Sequence, residues 1–260
     1  VGALTSTATL AATGELDLTA GAELSLGGTW SAGEAARFSA GGLLTYTATG
    51  EGSGDVTLTT PGAISAEAGS GITAGRTLRL DAGTDLAGRG SFAGGPLIAL
   101  NAGTGDMTLA GRIAANGAVT GTAGGDIATG AVLTAGGAVS LTADGALSAT
   151  NRIDAGAALT LGAGAALNLG GTWSAGAPAQ ITAGGLLTYT ATGVGTAVTL
   201  TTPGAVLAEA GSSITASGTL RLAGGSGLTA RGSLAGGSLV ALDAGTGNMT
   251  LAGGIAATGA

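Results

Sequence analysis

The sequence predicts an all-β protein: a right-handed parallel β-helix, or β-solenoid, with three short strands and about 20 residues per coil and about 13 coils in all. Three observations carry that expectation. A long unit is duplicated, because Gly27–Gly50 (GGTWSAGEAARFSAGGLLTYTATG) returns as Gly170–Gly193 (GGTWSAGAPAQITAGGLLTYTATG), with Trp30 and Trp173, and Tyr46 and Tyr189, each 143 residues apart. Inside that unit runs a shorter rhythm of apolar positions. The composition, 55 Gly among 260 residues with two each of Trp, Tyr, Phe and Met, does not describe an ordinary globular core.

Taken in chain order, the first strand type is an apolar-x-apolar triplet: Leu16-Asp17-Leu18, Ala36-Arg37-Phe38, Val56-Thr57-Leu58, Leu78-Arg79-Leu80, Ile98-Ala99-Leu100, then from Val119, Val139-Ser140-Leu141 and Leu159-Thr160-Leu161. The starts step by 20, 20, 22, 20, 21, 20 and 20 residues and so fill the 143-residue unit with seven short repeats. A second apolar position follows eight or nine residues later, at Leu24, Leu44, Ile64, Leu86, Met107, Ile127, Leu147 and Leu167. A third, looser one comes thirteen to sixteen residues after the start, at Trp30, Ile72, Phe92, Ile113, Leu133 and Ile153. Strict alternation over three to five residues, with Thr, Val and Ile in place, argues strand. No segment keeps a helical stripe for three turns without a Gly, so helices should be nearly absent.

Stacked coils place each strand ~4.8 Å from its counterpart above and below, with Leu on Leu and Val on Ile inside. The middle residue of each triplet points out, giving a column that begins Asp17, Arg37, Thr57, Arg79, Ala99, Thr120. Asp17 and Arg37 become neighbours that can pair, although Thr160 and Gln180 replace them in the second copy. Glycine supplies the corners, including any with positive φ. The one length change between copies, Gly50-Glu51-Gly52-Ser53-Gly54-Asp55-Val56 against Gly193-Val194-Gly195-Thr196-Ala197-Val198, belongs to a surface turn. The expected organisation is one continuous solenoid over residues 1–260, a rod ~60 Å long, with repeat copies 2–144 and 145–260, the second truncated. Both ends interrupt the repeat, which reads as a piece of a longer protein whose raw strand edges pair with more of the same.

Composition narrows the partners. A net charge of −7, with Arg as the sole basic residue type, leaves no cationic stripe for nucleic acid. The absence of cysteine removes disulfides and thiolate metal sites. No apolar run approaches the ~20 residues of a membrane-spanning helix, so membrane insertion by this segment is not expected.

Catalysis finds little to work with. Glycoside cleavage needs two carboxyl groups flanking one bond, and the fifteen acidic residues are scattered singly. Glu67 and its copy Glu209 recur, but Asp55 and Asp81 have no counterparts near Glu209, so these read as solvated face charges. Gly124-Gly125-Asp126 and Asp81-Ala82-Gly83-Thr84-Asp85 lack the nonapeptide period of a calcium β-roll. A Ser nucleophile has neither His nor Lys to lean on. No catalytic residue, cofactor or metal is assigned, and the chain reads as a non-enzyme. The candidate ligand contacts are Trp30, Tyr46, Trp173 and Tyr189: an exposed indole stacks on a sugar ring. The competing and favoured expectation is that Trp closes a corner of the coil, packed on the Leu stack. The Thr-rich runs at Thr45–Thr49 and Thr57–Thr60 form mixed columns and read as outer-face β-propensity, and the Asn248-Met249-Thr250 sequon has Asp106 in its copy.

The phrases Thr134-Ala135-Gly136-Gly137-Ala138-Val139-Ser140-Leu141-Thr142-Ala143 and Ala183-Gly184-Gly185-Leu186-Leu187 resemble repeats of the filamentous haemagglutinin family of large bacterial surface proteins exported by two-partner secretion, phrasing shared with other β-strand-repeat surface proteins. The resemblance spans essentially the whole chain. It implies a secreted or cell-surface location and a structural stalk of an adhesin or extracellular filament. Its partners would be further copies of the repeat at both ends and host or cell-surface glycans or proteins. An Arg-Gly-Asp triplet is only approached, at Arg89-Gly90-Ser91 and Arg231-Gly232-Ser233. The alternatives are a carbohydrate-binding β-helix with an exposed Trp/Tyr/Thr face and a self-stacking fibril subunit.

Overall fold

The computed structural model describes residues 2–259. Every regular element among them is a strand of three to six residues, and there is no helix among the described residues. Internal contacts group the chain into two compact units, Val1–Gly136 and Gly137–Ala260.

In the first unit the chain visits three parallel sheets in turn. Sheet 1 has seven strands from Leu4–Ser6 to Ile127–Thr129, sheet 2 has seven from Thr9–Ala12 to Val132–Ala135, and sheet 3 has six from Leu16–Ala20 to Ala118–Ala123. Each strand pairs with its counterpart one coil on, so Leu4, Leu24, Leu44, Ile64, Leu86, Met107 and Ile127 stand in one column. This is the parallel β-solenoid expected from the triplet rhythm. The column from Asp17 to Thr120 is likewise in register on sheet 3.

The second unit repeats the plan with six strands in each sheet. They run from Leu147–Ala149 to Met249–Leu251 in sheet 1, from Ile153–Ala155 to Ile255–Ala257 in sheet 2 and from Val139–Ala143 to Leu239–Asp243 in sheet 3. Ser140, Thr160, Gln180, Thr199, Arg221 and Ala241 form its outward column.

Alternation explains the core. In Val56–Thr60 and Leu78–Leu80 the first and third residues are buried and the second is turned to solvent. Each buried Leu or Ile of the stack contributes roughly 1.5–3 kcal/mol by leaving water, and small corner residues such as Ala36 and Ala48 are equally buried. The irregular steps are turns. The step of 22 comes from residues 67–70, four residues between Ile64–Ala66 and Gly71–Ala74 where the preceding coil uses only 47–48. The step of 21 comes from residues 102–106 between Leu97–Asn101 and Met107–Leu109. The length change between copies also lies in a turn, residues 53–55 against 196–197.

Glycine works differently from the expectation at most corners. Positive φ is confined to eight described glycines, among them Gly69 in the widened turn at +86°. Elsewhere the need is for close approach between coils: a Cβ at Gly33 would stand 2.0 Å from the Thr13 carbonyl oxygen. At that corner backbone stacks on backbone, and only hydrogen fits between the coils.

Candidate functional site

Trp30 lies in the middle of the sheet 2 strand Thr29–Ala32, whose alternation sends Thr29 and Ser31 toward solvent and Trp30 and Ala32 inward. Tyr46 ends the sheet 1 strand Leu44–Tyr46 one coil later, also on an inward position. The two side chains meet inside the coil. The indole Nε1–H of Trp30 donates to the Tyr46 hydroxyl at 2.7 Å, and that hydroxyl donates to the Gly71 carbonyl oxygen at 3.0 Å. The Phe38 ring closes the indole edge at a centroid distance of 5.0 Å and an interplanar angle of 63°. Room for the indole comes from the next coil, where sheet 2 has Gly50 in register with Trp30. A Cβ at Gly50 would fall 2.1 Å from Trp30 Cε2.

The second unit holds the same arrangement. Trp173 Nε1–H donates to the Tyr189 hydroxyl at 2.9 Å, which donates to the Ser213 carbonyl at 3.1 Å. Gly193 faces Trp173, and a Cβ there would lie 2.0 Å from the ring. Position 38 becomes Ile181, so the aromatic neighbour is dispensable while the hydrogen-bonded pair is kept.

All four candidate contact residues are therefore in the core. Trp30 and Trp173 are 3 % exposed, and Tyr46 and Tyr189 are fully buried. Stacking on a sugar needs an open ring face, and these rings are covered by Gly50 or Gly193 and the neighbouring coil. Trp30 is packed inside as the favoured expectation had it, but mid-strand rather than at a corner, between Leu10 and Gly50 of the adjacent coils. Burial pushes both phenols well above the ordinary tyrosine range, with the Trp hydrogen bond pulling weakly the other way. They stay neutral and are poor acids.

The acidic residues are engaged singly. Arg37, in register with Asp17, instead reaches Glu15 at 3.0 Å, while Asp17 accepts from Thr19 at 3.3 Å. The long guanidinium arm spans to the corner carboxylate, and the short Asp17 is already taken by the hydroxyl two residues along its own face. Glu67 accepts from Ser65 at 2.6 Å and pairs with Arg89 at 3.4 Å. The Ser65 hydrogen bond is the largest influence on its carboxyl; desolvation opposes it, and with the charge and hydrogen bond of Arg89 added the carboxyl stays below the usual range. Glu209 pairs with Arg231 at 3.1 Å in the same way.

Asp81 is half-buried. Desolvation is the largest influence and pushes its pKa up, but hydrogen bonds from Arg79 and Asn101 and the Arg79 charge outweigh it and hold the carboxyl low. Asp55 accepts the Thr77 backbone N–H at 3.0 Å. Asp85 accepts the Asp106 N–H at 2.9 Å and Asp106 accepts the Asp126 N–H at 2.8 Å, each carboxylate capping the next coil. Sequence reading missed this ladder and the Glu67–Arg89 pair. Their separations of 21, 20 and 22 residues are coil steps and were the available signal.

Among the described residues no three His, Cys, Asp or Glu side chains group as a metal site would require. The arrangement holds coils together: carboxylates cap turns and pair with Arg, and the aromatic chain ties strands across the interior.

Comparison with protein families finds the haemagglutinin repeat four times, over residues 11–95, 92–162, 147–224 and 182–260. No curated protein and no solved structure matches the chain.

Proposed function

The chain belongs to the haemagglutinin-repeat family, and on that premise we propose that it is a structural stalk segment of a large bacterial cell-surface adhesin or extracellular filament, serving adhesion or surface assembly without catalysing a reaction. The observation that carries this reading is the run of family repeats from residue 11 to residue 260, with no interrupted stretch between them. The site chemistry supports it. The aromatic side chains that an adhesive sugar would need are inside, and the carboxylates of Asp85, Asp106, Glu67 and Glu209 are spent on backbone caps and Arg pairs.

The partners that the repeat family suggests are further repeats of a larger adhesin, stacked in register with these.

Two measurements test the proposal. An antibody raised against the chain should label intact bacterial cells or their extracellular filaments, and failure to label either would remove the surface assignment. The purified chain applied to a glycan array and a polysaccharide panel should show neither saturable binding nor new reducing ends. Saturable binding would move the adhesive role onto this segment, and released reducing ends would overturn the non-catalytic reading.

A further inference from the structure

The two aromatic chains share a position as well as a geometry. Each ends on the first residue after the widened turn of its unit, Gly71 after residues 67–70 and Ser213 after residues 209–212. That turn is where a coil has slack. It carries two residues more than the corresponding turn at 47–48, and it passes through Gly69 or Gly211 at φ of +86° and +85°, with nothing within 4 Å of a Cβ built at either. A strand that follows such a turn can enter its sheet one residue early or late. A slip of one residue would send Ile72 and Ala74 to solvent and Thr73 into the core.

Aliphatic stacking guards poorly against that error, because burial of Leu on Ile is nondirectional. A hydrogen bond to one carbonyl is directional. The Tyr46 hydroxyl accepts from Trp30 on the coil before and donates to Gly71 on the coil after, so three successive coils are connected through the interior. The acceptor is backbone, which explains why Gly71 can become Ser213 without loss of the bond. The turn itself is tied down separately, by Ser70 donating to the Glu67 carbonyl and Ser212 to the Glu209 carbonyl, each at 2.6 Å. Together these fix the turn's closure and the first residue beyond it.

We propose that the Trp–Tyr–carbonyl chain is a register clamp, which sets where the strand after the widened turn begins. Its role is distinct from the stalk reading and stands whether or not that reading holds. Each long repeat carries one clamp, at its widened turn between sheets 1 and 2.

The chain has no cysteine, so introduced thiols report cleanly. Ala74→Cys places an inward thiol after the widened turn and Ala32→Cys an inward thiol before it, both on sheet 2 of the first unit. Adding Tyr46→Phe keeps the ring and removes the clamp. Thiol labelling of Ala74→Cys should then accelerate roughly tenfold or more, as expected for loss of a buried hydrogen bond with both partners stranded, while Ala32→Cys stays within about twofold of its parent. Equal acceleration at both positions would mean general loosening and would overturn the clamp, as would no acceleration at either. Backbone hydrogen exchange on Tyr46→Phe in the native-cysteine-free chain gives the second reading. Exchange should rise over residues 71–74 and stay unchanged over 213–216, with Tyr189→Phe producing the converse; a uniform rise or no rise contradicts the proposal.

Discussion

Replacing Gly50 with Ala adds one methyl group where the indole of Trp30 already lies. The new Cβ would be 2.1 Å from Cε2, against ~3.5–4.0 Å for an ordinary carbon contact, so the ring must retreat by about 1.5 Å. Its Nε1–H is held to Tyr46 at 2.7 Å, and a shift of that size carries the pair beyond hydrogen-bonding distance. Overpacking costs about 1–3 kcal/mol, and stranding the buried N–H costs about 1–3 kcal/mol more. Ala gains back roughly 0.5–1 kcal/mol over Gly in a strand. The net expectation is a loss of about 1–5 kcal/mol, read as a lower urea midpoint in Trp fluorescence. Gly162→Ala is the control, since its Cβ would meet nothing closer than 3.7 Å, and it should leave the midpoint unchanged or slightly raised. Pairing Gly50→Ala with Trp30→Leu should recover much of the loss, because other coils place Leu133 or Ile153 at this sheet 2 position. A Gly50→Ala protein as stable as its parent, or strict additivity in the double variant, would refute the packing argument.

The remaining predictions concern titration. The Tyr46 and Tyr189 phenols have folded pKa values raised by burial. Their contribution to stability is complete below the ordinary tyrosine value of about 10 and is lost as pH rises above it. Phenolate absorbance should therefore stay absent through the ordinary range and appear only together with alkaline unfolding; smooth titration of a folded protein near pH ~10 would contradict burial. Asp81 has a depressed pKa, so its contribution is complete above the unfolded value of about 3.9 and is lost as pH falls through the folded one. Asp81→Asn should flatten the acid-side fall in the urea midpoint below pH ~4, and an unchanged acid profile would contradict the hold of Arg79 and Asn101 on the Asp81 carboxylate.

Much of the coil was legible because alternation, burial and step length are the same fact in a solenoid. Leu24, Leu44 and Ile64 in one column and Leu16, Ala36 and Val56 in another are read directly from the triplets, and the structure places them in register. The steps of 22 and 21 marked coils with extra residues, but nothing local said which corner took them. The fate of Trp30 was written in two places. Thr29-Trp30-Ser31-Ala32 alternates with Trp on the inward phase, and the third apolar column has a gap at Gly50, which is the space the ring fills. What sequence could not supply was the partners, because Tyr46 is 16 residues from Trp30 and Gly71 is 25 from Tyr46, and the three are linked only after the coils stack. The Asp17–Arg37 expectation failed for a related reason. Register predicts neighbouring Cα atoms, whereas a guanidinium on a long exposed arm chooses among all carboxylates within its reach, here Glu15.

Coil stacking in register underlies every step from the core to the clamp, and it is measured most directly by a distance along one column. Spin labels at Asp17→Cys and Thr120→Cys sit on the outward column of sheet 3 in the first unit, separated by five strand-to-strand steps through Arg37, Thr57, Arg79 and Ala99. At ~4.8 Å per step the labelled backbones lie about 24 Å apart, so pulsed dipolar spectroscopy should give a single narrow distribution centred near that value. A broad distribution, or a mean beyond about 35 Å, would contradict a solenoid of parallel coils.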